Sequence, residues 1–313
     1  MIAVGSRTKL ALARETTFGT APGGAYSLVP FVSDGLGLRQ ELLENDILGL
    51  GRDAQRPQRD VKAVDGRVTV PVDQRAIGYW LQGLLGDPTS TDNGDGTWTH
   101  TFQSGGDTLP SFTLEKQFEG VNVYHTATGV MVNGLSLGVE PTGRAQAEVD
   151  VLAADMTITA SSAAGSTSAV SITRFHQFAG TIKKDGADLA KITGISVDLR
   201  NNLDPVRYVG GGGAIGDIVP GIIAVTGQLD ARFADTSLFD LAENETVFDL
   251  EFGWQADATH YLLFKLEQAE LTAAGAPVDG PGGVAARFQL AGSVDTAVGR
   301  SLTVTLRNDL ASY

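Results

Sequence analysis

Three stretches of the 313-residue chain have spacings that serve chemistry in other proteins. Gly134-Leu135-Ser136-Leu137-Gly138 fits the G-x-S-x-G elbow, where a sharp strand-to-helix turn lifts a serine hydroxyl above a sheet. Here Val130, Val132, Leu135, Leu137 and Val139 carry an alternation straight through the serine, and Glu140-Pro141-Thr142-Gly143 follows as a turn. Ser136 reads as a strand residue. Gly211-Gly212-Gly213-Ala214-Ile215-Gly216 fits G-x-G-x-x-G, which needs a helix N-terminus aimed at a pyrophosphate. Asp217-Ile218-Val219-Pro220-Gly221 leads back into a strand instead, so a flexible loop tip is the better reading. Asp92-Asn93-Gly94-Asp95-Gly96 is acidic, but Gly94 and Gly96 stand at alternate positions where a calcium loop needs oxygen ligands. With Thr97 to Phe102 following, it reads as a hairpin turn. His100, His125, His176 and His260 stand at no metal-ligand spacing. No catalytic, cofactor-binding or metal-ligating residue is expected.

The elements that carry these stretches are short. There are 39 Gly and 11 Pro, 42% hydrophobic and 19% charged residues, a globular composition in which alternating runs outnumber helical ones. Cysteine is absent, so stability must come from packing and association. Net charge is −14, with no basic cluster to hold phosphates, which argues against a nucleic-acid-binding protein. The start, Met1 to Lys9, has no secretion-signal pattern, and no apolar run reaches the ~18 residues of a membrane helix. A cytoplasmic product with no membrane partner is expected.

Ala160-Ser161-Ser162-Ala163-Ala164-Gly165-Ser166-Thr167-Ser168 is small and polar, close to mid-chain. It divides the sequence into 1–159, a linker at 160–171, and 172–313. Shifting the sequence by 161 residues places Leu38-Arg39 on Leu199-Arg200, Ala63-Val64 on Ala224-Val225, and Gly66 on Gly227. At a shift of 152, Phe112-Thr113-Leu114-Glu115 resembles Phe264-Lys265-Leu266-Glu267. Each half has an alternating strand, a long connection (Leu43 to Asp60, Asp204 to Gly221), a second strand and one short helix. The helices are marked by Ile77, Trp80, Leu81 and Leu84, and by Leu238, Phe239 and Leu241 behind a capping Asp235. The spacing predicts a mostly β protein of two tandem sandwich or barrel domains, each with a helix and a long loop arm.

Gln146, Glu148 and Asp150 alternate with Ala147, Val149 and Val151, and Gln228 and Asp230 flank Leu229. One face of each strand packs and the other meets water. Arg144 and Arg232 stand on the polar faces as partners for these acids.

Ala11 to Pro22 resembles the opening of the major tail tube proteins of long, non-contractile-tailed bacteriophages. Asn201-Asn202-Leu203-Asp204-Pro205, Thr226-Gly227-Gln228-Leu229, Phe248-Asp249-Leu250-Glu251 and Leu306-Arg307-Asn308-Asp309 carry the same resemblance through the second half. It implies a structural protein whose domains join by sheet edges into stacked rings around a channel for double-stranded genomic DNA. Two domains per chain imply three chains per pseudo-sixfold ring; a single domain would require six. Implied partners are further copies, the tape measure protein, the tail terminator and the distal tail protein, in a virion tail assembled in the host cytoplasm. Gln146, Glu148, Asp150, Gln228 and Asp230 are the candidates for an acidic or neutral lumen wall. Phe18, Leu50, Arg52, Arg56, Tyr208, Gly211, Gly213 and Ile215 are the candidates for ring-stacking arms. A terminator ring protein of the same fold is the alternative, and a carbohydrate-binding sandwich a more distant one, since only 7% of residues are aromatic. A secreted hydrolase is disfavoured by the failed serine elbow.

Overall fold

The computed structural model describes residues 2–49, 51–272, 275–278 and 280–313. Among the described residues fourteen principal strands carry the fold, and several, Gln146–Ala153, Ala285–Gly292 and Leu302–Asn308 among them, alternate inward apolar and outward polar residues, as the pleat allows. The first seven are β1 (Lys9–Arg14), β2 (Gly37–Leu43), β3 (Gln58–Pro71), β4 (Phe112–Phe118), β5 (Val123–Val139), β6 (Gln146–Ala153) and β7 (Asp155–Thr159). The next seven are β8 (Gly180–Lys184), β9 (Ile192–Arg200), β10 (Ala224–Arg232), β11 (Phe248–Gln255), β12 (Tyr261–Leu271), β13 (Ala285–Gly292) and β14 (Leu302–Asn308).

Two helices complete the fold, α1 (Ile77–Leu85) and α2 (Ser237–Glu243). They stand where the apolar spacing predicts, α1 packed on β5 and α2 on β12. Three backbone N–H groups, of Arg75, Ala76 and Ile77, donate to the buried Asp73 carboxylate just before α1. Asp235 accepts from Ser237 N–H before α2, as its capping role predicts.

The strands form one extended, antiparallel surface. In it β2, β3, β6 and β5 follow one another, β5 pairs with β9, and β10, β13 and β12 continue the order. The long strands β5 and β12 pass from this surface into a second layer. There the N-terminal part of β5 lies between β4 and β7, with β1 beyond β4. The N-terminal part of β12 lies likewise between β11 and β14, with β8 beyond β11. Between the layers lies one apolar core that includes Trp80, Phe112, Phe175, Trp254, Phe264 and Phe288.

The pairing registers repeat along the chain. Leu38 faces Val64 and Leu199 faces Val225, while Arg39 faces Ala63 and Arg200 faces Ala224. The residues that match at a shift of 161 are thus each other's cross-strand partners. On the hairpin side Val132 faces Val151 and Leu271 faces Leu290, both displaced by 139. Phe112 faces Val130 and Phe248 faces Ala269, with a bulge after each. The counterpart in register of Phe112–Glu115 is therefore Phe248–Glu251, not the Phe264–Glu267 stretch expected from the 152-residue shift. Even the tight crossing recurs: a side chain at Gly66 would run into the Gly35 carbonyl, and one at Gly227 into that of Ser196.

Two expected features differ. The polar stretch after β7 is docked rather than free: the buried Glu115 carboxylate accepts from Ser162 Oγ (2.6 Å) and Ala163 N–H (2.6 Å). Thr167–Ala169 then pairs in parallel with Tyr26–Leu28. Composition cannot reveal a partner that distant in sequence. The long connections also part company. Leu42 and Leu43 pair with Arg59 and Gln58, so the first arm is a ribbon with an exposed tip from 44 on. The second arm closes its own small ladder, Asp204–Val206 with Asp217–Val219, and buries Ile215 and Ile218 against Met131 and Ala154.

Candidate functional site

The five polar candidates share one face of the continuous surface. Glu148 faces Ser136, Ser136 faces Asp198, and Asp198 faces Thr226, so this row crosses from β6 to β10 on a single side. Gln146 and Asp150 flank Glu148 at alternate positions on β6, and Gln228 and Asp230 continue from Thr226 on β10. Behind this face Val149, Leu135, Val197 and Leu229 are buried.

The face is laced with ion pairs. Arg67 of β3 donates from Nε to Asp150 (2.7 Å) and from Nη1 to Glu148 (2.6 Å). Arg200 of β9 reaches over β5 to the same Asp150 and also holds Asp198 at 3.0 Å. Arg287 of β13 donates to Asp230 at 2.8 Å. Burial pushes the Asp150 carboxyl up, but hydrogen bonds from Arg67 and Arg200 outweigh it and hold the group below its ordinary value. Arg144 and Arg232, the partners expected from the sequence, do not make these bonds: Arg232 donates to the Gly283 carbonyl. Arg67 escaped notice although it alternates outward in Asp65-Gly66-Arg67-Val68-Thr69. Only the register shows which strand lies opposite.

Across this face Asp65, Glu148, Asp150, Asp198 and Asp230 are held by four arginines, Arg39, Arg67, Arg200 and Arg287, while Arg232 and Glu270, the latter facing Ala291, stand on the same side outside these ion pairs. The acidity of the chain as a whole, −14, lies elsewhere. Pairs this exposed contribute at most about 1 kcal/mol each to stability. Their arrangement does more to fix register and to offset most of the negative charge of the face.

This packing explains the glycines of the serine elbow. A side chain at Gly134 would come within 2.8 Å of Arg200 Nη1, and one at Gly138 within 2.8 Å of the Ile195 carbonyl. Ser136 Oγ donates to Asp198 at 2.6 Å from mid-strand. In the Gly211–Gly216 stretch no helix follows, and Asp217 opens a strand as expected. The Asp92–Gly96 turn joins strands Thr89–Asp92 and Trp98–Gln103 and ties Asp95 to Thr97 and Arg307.

Of the arm candidates, Arg52 and Arg56 lie on the exposed first tip, and Leu50 lies outside the described residues. Tyr208 is 60% exposed, and Gly213 sits against Val61. Phe18 and Ile215 both face inward, in one cluster with Met131 and Ala154, so neither projects as an arm. The N-terminal segment is likewise held, β1 lying alongside β4.

A model of the phage tail tube protein family matches residues 5–311. The chain belongs to this family. It is therefore a structural component of a bacteriophage tail. A search of curated proteins finds no match. Among the described residues no helix is long and apolar enough to cross a membrane.

One property of the fold is open to titration. His100 accepts from Ser90 Oγ at Nδ1 (2.8 Å) and donates from Nε2 to the Leu310 carbonyl (2.9 Å), a neutral ring fully buried. Burial pushes its pKa below the ordinary 6.5, and the same holds for His125 beside Lys116. The unfolded chain then binds protons first, so stability is complete above about pH 6.5 and declines as pH falls below it. Urea midpoints measured from pH 7.5 to 5.5 are expected to fall with acidification, and less steeply for His100→Gln.

Proposed function

We propose that this tail tube protein polymerises into stacked rings whose central bore conducts double-stranded DNA during ejection. Two tandem tube domains, 1–159 and 172–313, make each chain a third of a pseudo-sixfold ring, a reading supported by the repeated registers and by the position of each helix. The face bearing Glu148, Asp150 and Asp230 lines the bore. What carries the reading is the β5–β9 pairing, which runs the sheet of one half into that of the other and leaves both ends of the surface open.

A wall whose carboxylates are largely offset by arginines neither traps phosphates nor repels them strongly. The lining expected from alternation, acidic or neutral, is on this reading close to neutral. The first arm, with Arg52 and Arg56 near its tip and Ile47 and Leu48 exposed at 65% and 93%, is the element free to reach an adjacent ring. The tape measure protein would occupy the bore before DNA, with the terminator and distal tail protein at its ends, in a tail assembled in the host cytoplasm.

Negative-stain microscopy of the purified protein is expected to show rings or tubes with a central bore. A chain that stays monodisperse at high concentration would count against tube formation and favour a binding module.

A further inference from the structure

The surface is open at two edges. No described strand pairs with the outer edge of β2 or of Asp34–Leu36 before it; there Leu36 N–H donates to Asp34 Oδ1 (2.8 Å) and its carbonyl accepts from Lys116 Nζ (3.1 Å), contacts that an added strand would replace. At the other end β12 covers only the last residues of β13. Leu271 faces Leu290, Thr272 N–H donates to the Gln289 carbonyl at 3.0 Å, and Ala285–Phe288 have β10 alone beside them.

The first half shows what belongs there. The stretch of β6 in register with Ala286–Phe288 is Ala147–Val149, covered by Leu135–Leu137 of β5. That same part of β5 carries β9 on its far side: Ser136 faces Asp198, Leu137 faces Val197, and Val139 faces Ile195. The displacement of 139 that relates the two hairpins takes Ser136, Leu137 and Val139 to Gly275, Ala276 and Val278. The displacement of 161 takes Asp198, Val197 and Ile195 back to Gly37, Leu36 and Asp34. Val139 is 5% exposed in its paired strand, whereas Val278 is 73% exposed. Pro277 stands in place of Gly138 and removes one backbone donor from this short strand.

We propose that the partner at this edge is a second copy of the chain. Residues 275–278 of one copy add as a strand beside β13 and pair with Asp34–Gly37 of the next, repeating the β5–β9 junction between chains. Gly275 then lies opposite Gly37, and Ala276 opposite Leu36. This register rests on the tube reading but can fail independently of it.

The chain has no cysteine, so a designed pair reports cleanly. Gly37→Cys with Gly275→Cys places two thiols directly across an antiparallel ladder, where Cα atoms lie about 4.5–5.5 Å apart, within disulfide reach. Mild oxidation of the assembled double variant is expected to give a ladder of covalent multimers on non-reducing gels, ending at a closed ring. Either single variant, and Gly37→Cys with Ala276→Cys, which points to the opposite face, should remain monomeric. Ser136→Cys with Asp198→Cys, the equivalent pair within one chain, should close without multimers and confirms that the geometry oxidises. Tubes that yield only monomer bands would overturn this pairing and leave the tube reading standing. A chain that neither assembles nor cross-links at any concentration would overturn both.

Discussion

Replacing Gly78 with valine is expected to destabilise the fold by about 3–5 kcal/mol, the loss that follows when a large buried aromatic is displaced. Gly78 lies on α1, and its missing side chain leaves the space that the Tyr313 ring fills. That ring stands edge-on to Tyr79 and His100, at 5.2 and 4.9 Å. Its hydroxyl donates to the Arg75 carbonyl (2.8 Å) and accepts from Asn308 Nδ2 (2.6 Å). Burial raises the phenol pKa well above its usual range, so the ring stays neutral wherever the protein is folded. Valine would force the ring out, leave a cavity beside Phe102 and strand the Asn308 amide. Denaturant unfolding of Gly78→Val, Tyr313→Ala and the double variant tests this. If the two share one space, the double variant is scarcely less stable than Tyr313→Ala alone. Full additivity would mean that Gly78 acts through something other than the ring.

The second large effect concerns the laced face. Glu148→Gln, Asp150→Asn and Asp198→Asn together leave Arg67 and Arg200 without their carboxylates and make the face more positive by three charges per chain. The expected stability cost is about 1 kcal/mol per pair, because all are partly exposed. DNA retention should change far more. If this face lines the bore as proposed, the charges line up around one axis in assembled tubes, and a short duplex is expected to bind roughly 10- to 1,000-fold more tightly at low salt, with a steep loss as salt rises. Fluorescence anisotropy of a labelled duplex with wild-type and triple-variant tubes is the measurement. Unchanged binding by well-formed variant tubes would place this face away from the bore.

Much of the architecture could be read before any coordinates. Inward Ala147, Val149 and Val151 against outward Glu148 and Asp150 gave the strand and its polar side, since a pleat admits only two directions. The apolar stripe announced a helix over Asp73 to Leu85; it forms at Ile77–Leu85, with Asp73 ahead of it holding the first backbone N–H groups. The 161-residue echo was legible because it falls on Leu38, Arg39, Ala63 and Val64, residues that face one another across two strands. The 152-residue echo misled because the phrase Phe-x-Leu-Glu occurs at Phe112, Phe248 and Phe264, and only pairing tells which two correspond.

Tertiary choices were hidden. Nothing local in Ala160–Ser168 announces that Glu115 will hold it. Nothing in the Gly-rich run after Tyr208 announces that Ile215 and Ile218 will turn inward onto Met131 and Ala154. The lacing of the polar face was half visible: the acids could be named, but their arginine partners sit on strands 50 to 83 residues away in sequence.

If chains close into the proposed rings, the β5–β9 seam governs how those rings come apart. In a ring of two-unit chains every second junction is tethered by the polypeptide itself, so its closure is unimolecular and indifferent to dilution. Only the alternate junctions answer to mass action, and a partly opened ring should shed whole chains rather than single units. The tether also releases the two units from having to recognise each other's copies interchangeably. Each edge meets one fixed neighbour, which leaves the paired surfaces free to diverge in chemistry while the backbone register is kept.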